Sequence, residues 1–130
     1  MDEVLEVFKK ANTFYIATID GDKPRVRPFG GMVEAFGRLY FATTNKKEVY
    51  KQLLANPNVE LCALAGGTWA RISAVAVHDE RREARAAMLD STPKGRSTYN
   101  EDDGLFEVFY LKDATATINS FGNEPKEIKF

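Results

Sequence analysis

The fold is decided by one stretch of the chain, LYFATTNKKEVYKQLLA at residues 39–55. Residues 39–44 are apolar, aromatic or β-branched, a composition typical of a half-buried strand. In the second half, apolar residues recur at helical spacing: Val49, Leu53 and Leu54. Asn45 is a favourable N-cap residue, and Glu48 stands three positions later, as a capping box requires. The stretch therefore predicts a strand that runs directly into a helix capped by Asn45.

Donor groups surround this junction between strand and helix. They are the hydroxyl and ammonium groups of Thr43, Thr44, Lys46 and Lys47. A helix N-terminus carries roughly half a unit of positive charge, so together these groups predict a site for an anion such as a phosphate. The alternative interpretation is an ordinary solvated helix face, because lysines are mostly exposed in folded proteins.

The composition indicates one globular domain over residues 1–130. Hydrophobic residues make up 44% of the chain, which is enough for a core, and the net charge of −1 argues against nucleic acid as the main partner. Cys62 is the only cysteine and His78 the only histidine, so an intrachain disulfide and a metal site of several thiolates or imidazoles are excluded. Both lie in apolar runs, where we expect buried structural roles. No run approaches the ~18 apolar residues of a membrane span, so we expect a cytoplasmic protein without a membrane partner.

Most of the remaining chain is predicted to form short strands joined by turns. The predicted strands are 13–19, 24–29, 32–35, 38–44, 59–65, 68–78, 105–111, 114–119 and 127–130, and the predicted helices are 2–11, 46–55 and 79–90. Short turns between successive strands indicate antiparallel pairing. Small residues on one face of the strand 68–78 indicate a tightly curved sheet or a barrel interior. The predicted fold class is mainly β, an antiparallel β-barrel with few, peripheral helices.

The second predicted strand, PRVRPF at residues 24–29, carries a pair of arginines. Strand geometry places Arg25 and Arg27 on one face and Val26 on the other. Two adjacent guanidinium groups require solvent, an acidic partner or a bound anion. Pro28 lacks an N–H and the glycines at 30–31 let the chain bend, so this strand is expected at an edge of the sheet, where it forms a binding rim.

The order of these features resembles the FMN-binding split barrels of the pyridoxamine 5'-phosphate oxidase-like family. The resemblance rests on PRVRP at 24–28, TTNKK at 43–47 and the Asn-Pro pair at 56–57, and it covers Phe14 to His78. The length is similar to that of the short members known as nitroimidazole-resistance-like proteins. The resemblance implies an antiparallel split β-barrel that binds FMN as a homodimer, with one flavin at each end of the interface.

Residue roles follow from the same resemblance. It implies that the FMN phosphate is bound by Arg25 and Lys47, with Thr43, Thr44, Asn45 and Lys46 beside them. The residues implied at the isoalloxazine ring are Val26, Arg27, Pro28 and Phe29, together with Trp69. The apolar residues Phe106 to Tyr110 and Phe121 are compatible with a dimer interface.

The expected function is a flavin-dependent oxidoreductase that reduces a small electrophile, a nitroaromatic or a quinone, with electrons from a nicotinamide cofactor. Residues 123–129 lack the Arg and His pattern that holds the substrate phosphate in true pyridoxamine phosphate oxidases, so vitamin B6 oxidation is not expected. No catalytic side chain and no metal site are expected, because the flavin carries the chemistry. The alternatives are a flavin sensor or carrier without turnover, a barrel that binds haem through His78 or binds a deazaflavin, and an interaction domain without a cofactor.

Overall fold

The computed structural model describes all 130 residues as eight strands and four helices. The strands are β1 (Thr13–Asp20), β2 (Lys23–Gly30), β3 (Val33–Ala35), β4 (Arg38–Thr44), β5 (Asn58–Ala65), β6 (Thr68–Asp79), β7 (Phe106–Ser120) and β8 (Lys126–Lys129). The helices are α1 (Asp2–Ala11), α2 (Glu48–Ala55), α3 (Arg82–Asp90) and α4 (Pro93–Thr98). None of these helices has both the length and the apolar character that crossing a membrane requires.

All strands belong to one antiparallel sheet with the order β2-β1-β5-β6-β7-β4-β3, and β8 pairs with β7. The sheet curls without closing, so β2 and β3 remain its two edges. Rings bridge the gap, because Phe29 on β2 lies edge-to-face on Phe41 of β4 with centroids 5.7 Å apart. This architecture confirms the predicted antiparallel split barrel with peripheral helices.

Two cores lie on opposite faces of the sheet. The larger core fills the barrel interior, where α1 and α2 cover its ends with residues such as Phe8 and Leu53. The smaller core lies outside, where α3 packs on β3, β4 and β7. Its buried residues are Val33, Tyr40, Ala84, Met88, Leu89, Phe106 and Val108.

These cores correct the prediction for residues 106–110. Phe106, Val108 and Phe109 are each at most 7% exposed, because the two cores of the same chain take up both faces of β7. These residues therefore have no surface to offer a second subunit. Phe121, by contrast, is 98% exposed.

Two further elements differ from the sequence prediction, because α4 lies outside the three predicted helices and β7 joins two predicted strands. β7 is a single strand of 15 residues where two strands, 105–111 and 114–119, were predicted. Asp113 has φ 52°, and the pairing register with β6 shifts between Ser73 and Val75. The polar pair at 112–113 is thus absorbed in a β-bulge, which bends the strand without ending it.

Candidate functional site

The turn between β4 and α2 is the centre of the candidate site, and its helix begins later than predicted. Lys47 is the N-cap residue, and Asn45 does not cap α2. Instead, the Asn45 Nδ2 donates to Gly104 O at 2.8 Å and to Glu107 Oε2 at 2.9 Å. The predicted capping box is wrong because β7 and the loop before it offer Asn45 a carboxylate and a carbonyl.

The turn leaves two ammonium groups without acidic partners. Lys46 and Lys47 are exposed, and neither forms an ion pair, since the nearby Glu48 is paired with Lys51 at 3.3 Å. The turn itself is ordered, because the Lys47 N–H donates to Thr44 O at 3.2 Å. Two free cations therefore stand at the N-terminus of α2, where the helix dipole adds positive potential.

Thr43 contributes a buried hydroxyl to the same region. The residue is 5% exposed, and its Oγ1 has no hydrogen-bond partner. A buried polar group without a partner is unfavourable by roughly 1–3 kcal/mol. The Thr43 hydroxyl therefore has its hydrogen-bonding capacity left for water or a bound group.

The two arginines of β2 have different partners. Arg25 Nε lies 3.0 Å from Asp20 Oδ2 in the hairpin between β1 and β2. Arg27 instead reaches across β1 to α2, where its Nη2 donates to Gln52 Oε1 at 2.6 Å. Its Nη1 donates to Thr18 Oγ1 at 2.8 Å and to Ile16 O at 3.1 Å. Burial, and next the charge of Arg25, lower the pKa of Arg27. Of the two arginines, only Arg27 is hydrogen-bonded to α2, the helix that follows the lysine turn (residues 44–47).

The residues predicted at the flavin ring fall on both faces of β2. Val26 is 68% exposed on the outer face together with Pro28, whereas Phe29 points inward and packs on Phe14 and Phe41. Their side chains therefore cannot all contact one ring. The ring contacts stay a prediction that involves the backbone of this strand.

Trp69 is not brought to the lysine turn within one chain. It pairs with Asn119 on β7, while Thr43 pairs with Glu107 on the same strand. These two β7 positions are twelve residues apart, which corresponds to roughly 40 Å of strand. Trp69 is half-buried on the outer face of β6, with the guanidinium carbon of Arg71 5.6 Å from its ring centroid.

The sequence did not indicate a pair formed by His78 and Glu107. His78 Nε2 lies 2.9 Å from Glu107 Oε1, and the imidazole stacks on Phe109 with centroids 5.0 Å apart. The sequence shows that His78 is the single histidine. It does not predict the partner of His78, because that depends on the register of β6 with β7. The hydrogen bond to Glu107 occupies the Nε2 that haem ligation through that atom would need.

An open cavity of about 650 Å³ lies where β2 ends and β4 begins to approach the lysine turn. Its wall is mainly apolar and includes Gly30, Gly31, Ala42, Met88, Tyr99 and Phe106. Ala42 is two residues before Thr44 on β4, which is roughly 7 Å along a strand. The cavity thus lies near the end of β4 that leads to the lysine turn. It is on the outer face with Ala42, whereas Thr43 points to the inner face together with Phe41.

The family is established by comparison with known proteins. The family model for pyridoxamine 5'-phosphate oxidase matches residues 1–118. The chain therefore belongs to the pyridoxamine 5'-phosphate oxidase family. No curated protein matches the sequence.

Solved structures share the fold of this chain. A NimC/NimA family protein from Clostridium acetobutylicum is 37% identical, with a TM-score of 0.96 over 100% of this chain and 92% of that one. General Stress Protein 26 from Bacillus anthracis is 14% identical, with a TM-score of 0.78 over 99% and 97% of the two chains. A heme binding protein from Mycobacterium smegmatis is 18% identical, with a TM-score of 0.76 over 98% of this chain and 56% of that one. The last two likenesses show the fold alone.

Proposed function

We propose that this protein binds FMN as a homodimer and is an FMN-dependent oxidoreductase that reduces a small electrophile, such as a nitroaromatic or a quinone. The observation that carries the proposal is the pair of unpartnered ammonium groups on Lys46 and Lys47 at the N-terminus of α2. The resemblance to FMN-binding split barrels and the likeness to a NimC/NimA family protein support it.

The chemistry of these donors fits a phosphate monoester. A dianionic phosphate needs several charge-assisted hydrogen bonds to offset its loss of hydration. Lys46, Lys47 and the first amides of α2 would hold it, and Arg27 adds a third positive charge next to that helix. Arg25, which the resemblance implies at the phosphate, would have to exchange its pairing with Asp20 for the phosphate.

The rest of the bound molecule would lie along β2. The apolar cavity beside Gly30 and Ala42 would take a flat ring and keep water away from one side of it. When bound, the isoalloxazine supplies the hydride or electron transfer, and the protein supplies position and electrostatics. The chain's own residues then need to bind and orient, and none has to act as a general acid or base.

The first experiment is the visible spectrum of the purified protein before and after soaking with FMN and desalting. We expect oxidised-flavin bands that persist after desalting. Bands that bleach with a nicotinamide cofactor and return on addition of a nitroaromatic or quinone identify turnover, whereas bound flavin without turnover favours a sensor or carrier. A Soret band, retention of a deazaflavin alone, or no chromophore at all would contradict the FMN assignment.

A double variant tests the phosphate site. Lys46→Ala with Lys47→Ala removes both free charges, so we expect FMN affinity to fall roughly 100-fold, which corresponds to about 1.4 kcal/mol for each charge-assisted contact. Flavin fluorescence quenching measures the affinity. The matched control is Lys9→Ala with Lys112→Ala, two exposed lysines without ion pairs on α1 and β7. Unchanged FMN affinity in the first variant would rule out this phosphate site.

A further inference from the structure

We infer that Glu107, held by His78, is a positioning residue that sets the turn from Thr44 to Lys47 for a phosphate group. The inference rests on the proposed FMN site. Glu107 itself would not contact the cofactor. Its basis is a continuous chain of hydrogen bonds from His78 through Glu107 to Asn45.

The geometry of this chain leaves no carboxylate oxygen free. Glu107 Oε1 lies 2.9 Å from His78 Nε2, and Oε2 accepts from Asn45 Nδ2 at 2.9 Å. The side chains of Glu107 and His78 are only 17% and 16% exposed, so water competes little for these contacts. Phe109 and Tyr50 enclose the imidazole, with ring centroids 5.0 and 5.5 Å away. The carboxylate therefore has one defined orientation.

Asn45 transmits that orientation to the turn. Its side chain is held by Glu107 and by Gly104 O, and its backbone N–H donates to Leu105 O at 3.0 Å. The next two residues are the free lysines. Because Asn45 is attached on both sides, the positions from which Lys46 and Lys47 extend are set by β7 as well as by α2.

The same contacts keep the Glu107 carboxylate from pairing with the lysines. Glu107 is the cross-strand partner of Thr43, so its carboxylate is a natural competitor for the ammonium groups of the turn. Glu107 nevertheless forms no ion pair with Lys46 or Lys47. His78 holds it instead. The lysines consequently remain available to an anion from outside.

The test compares FMN with riboflavin, which lacks the phosphate, on three variants. Glu107→Ala is expected to weaken FMN binding roughly tenfold, the loss of about one charge-assisted hydrogen bond, and to leave riboflavin binding unchanged. Glu107→Gln keeps the acceptor for Asn45, and its amide N–H donates to His78 Nε2 once the imidazole proton is on Nδ1, so it is expected to restore most of the FMN affinity. Glu127→Ala on β8 is the control for removing a carboxylate from an element outside the candidate site.

Hydrogen exchange on the FMN-free protein gives a second reading. In Glu107→Ala we expect faster exchange at the amides of Asn45 and Lys47, with β5 and β6 unchanged. A parallel loss of both flavins with a lower Tm, or unchanged exchange in the turn, would overturn the positioning role. Equal wild-type affinity for FMN and riboflavin would instead overturn the proposed phosphate site, and exchange would still decide whether Glu107 orders the turn.

Discussion

At the scale of single residues, Asp79 shows how a buried charge is made tolerable on the outer face of the sheet. The residue is 7% exposed, and both of its oxygens are occupied. Arg81 donates Nε to Oδ1 and Nη2 to Oδ2, each at 3.0 Å, and the Tyr40 hydroxyl donates to Oδ2 at 2.7 Å. The hydrogen bond from Arg81, followed by that from Tyr40, lowers the pKa of Asp79 to about 2 against the opposing effect of burial.

This shift predicts a stability difference that depends on pH. An unfolded aspartate has a pKa of about 3.9, so Asp79 stabilises the fold above that pH, and the contribution is lost as pH falls towards about 2. Asp79→Asn should therefore lower the free energy of unfolding by about 1–2 kcal/mol at pH 7, a value reduced because the Arg81 side chain is half exposed.

Urea denaturation of both proteins at pH 7, 4 and 2.5 checks this prediction. The difference in the free energy of unfolding between the wild-type protein and Asp79→Asn should narrow below pH 4. Asp22→Asn, an exposed turn carboxyl without an ion pair, is the control and should leave the curve unchanged. A gap of constant size across the whole range would mean that packing, not ionisation, accounts for the effect of the substitution.

Single residues also show where sequence reasoning reached its limit. The alternation of PRVRPF placed Arg25 and Arg27 on one face, and the structure confirms it. Which of them reaches α2 was not predictable, because Gln52 meets Arg27 only after the helix has packed against β1. The prediction that Asn45 caps α2 was wrong for a similar reason. Its N-cap propensity is a local property, and partners 59 and 62 positions away prevailed.

At the scale of elements, β7 organises the molecule. It pairs with β6, β4 and β8, and it carries both Glu107 of the candidate site and Asn119, the cross-strand partner of Trp69. The bulge at Asp113 lies between these two ends, and beside it the backbone of Ala114 exchanges hydrogen bonds with Phe130 at 2.8 and 2.9 Å. The sequence correctly predicted strand in the two apolar segments 105–111 and 114–119. The polar pair at 112–113 between them predicts a strand end unless the pairing partners are known.

The bulge predicts that two substitutions at one position differ in their effect on the free energy of unfolding. Asp113 is exposed with φ 52°, a conformation that glycine adopts freely and a β-branched residue strongly resists. Asp113→Val is therefore expected to lower the free energy of unfolding by about 1–2 kcal/mol, while Asp113→Gly changes it by less than about 0.5 kcal/mol. Thermal unfolding followed by circular dichroism compares them. A valine variant as stable as the glycine variant would show that residue 113 does not hold this backbone conformation.

At the scale of the whole molecule, the outer face of β2, β1, β5 and β6 stands out because it has no internal cover. The register brings Pro28, Tyr15, Cys62 and Arg71 into one row across the four strands. Apolar side chains on this face are exposed, with Val26 at 68%, Leu64 at 65% and Tyr15 at 49%. Trp69 lies on the same face. Its partner on β7 is Asn119, twelve residues from Glu107, the β7 residue beside the lysine turn. The proposed homodimer would use this face in place of the residues 106–110 suggested by composition.

The position of Trp69 gives the proposed homodimer a testable consequence for FMN binding. Since one chain cannot bring Trp69 to its own lysine turn, a flavin that contacts both kinds of residue must lie between two subunits. Leu64→Glu puts a charge beside Trp69 on the exposed face, so we expect it to convert the dimer to monomers, because burying an unpaired carboxylate is strongly unfavourable. Monomers should also bind FMN at least tenfold more weakly, although Leu64 is remote from Lys46 and Lys47.

Sedimentation equilibrium measures the assembly state, and fluorescence quenching measures FMN affinity on the same samples. Phe36→Glu is the control, because Phe36 is comparably exposed at 53% but lies in the hairpin of β3 and β4, at the opposite edge of the sheet. We expect it to remain dimeric and to bind FMN. A Leu64→Glu protein that stays dimeric would place the interface elsewhere, and a monomer with full FMN affinity would show that a single subunit completes the flavin site.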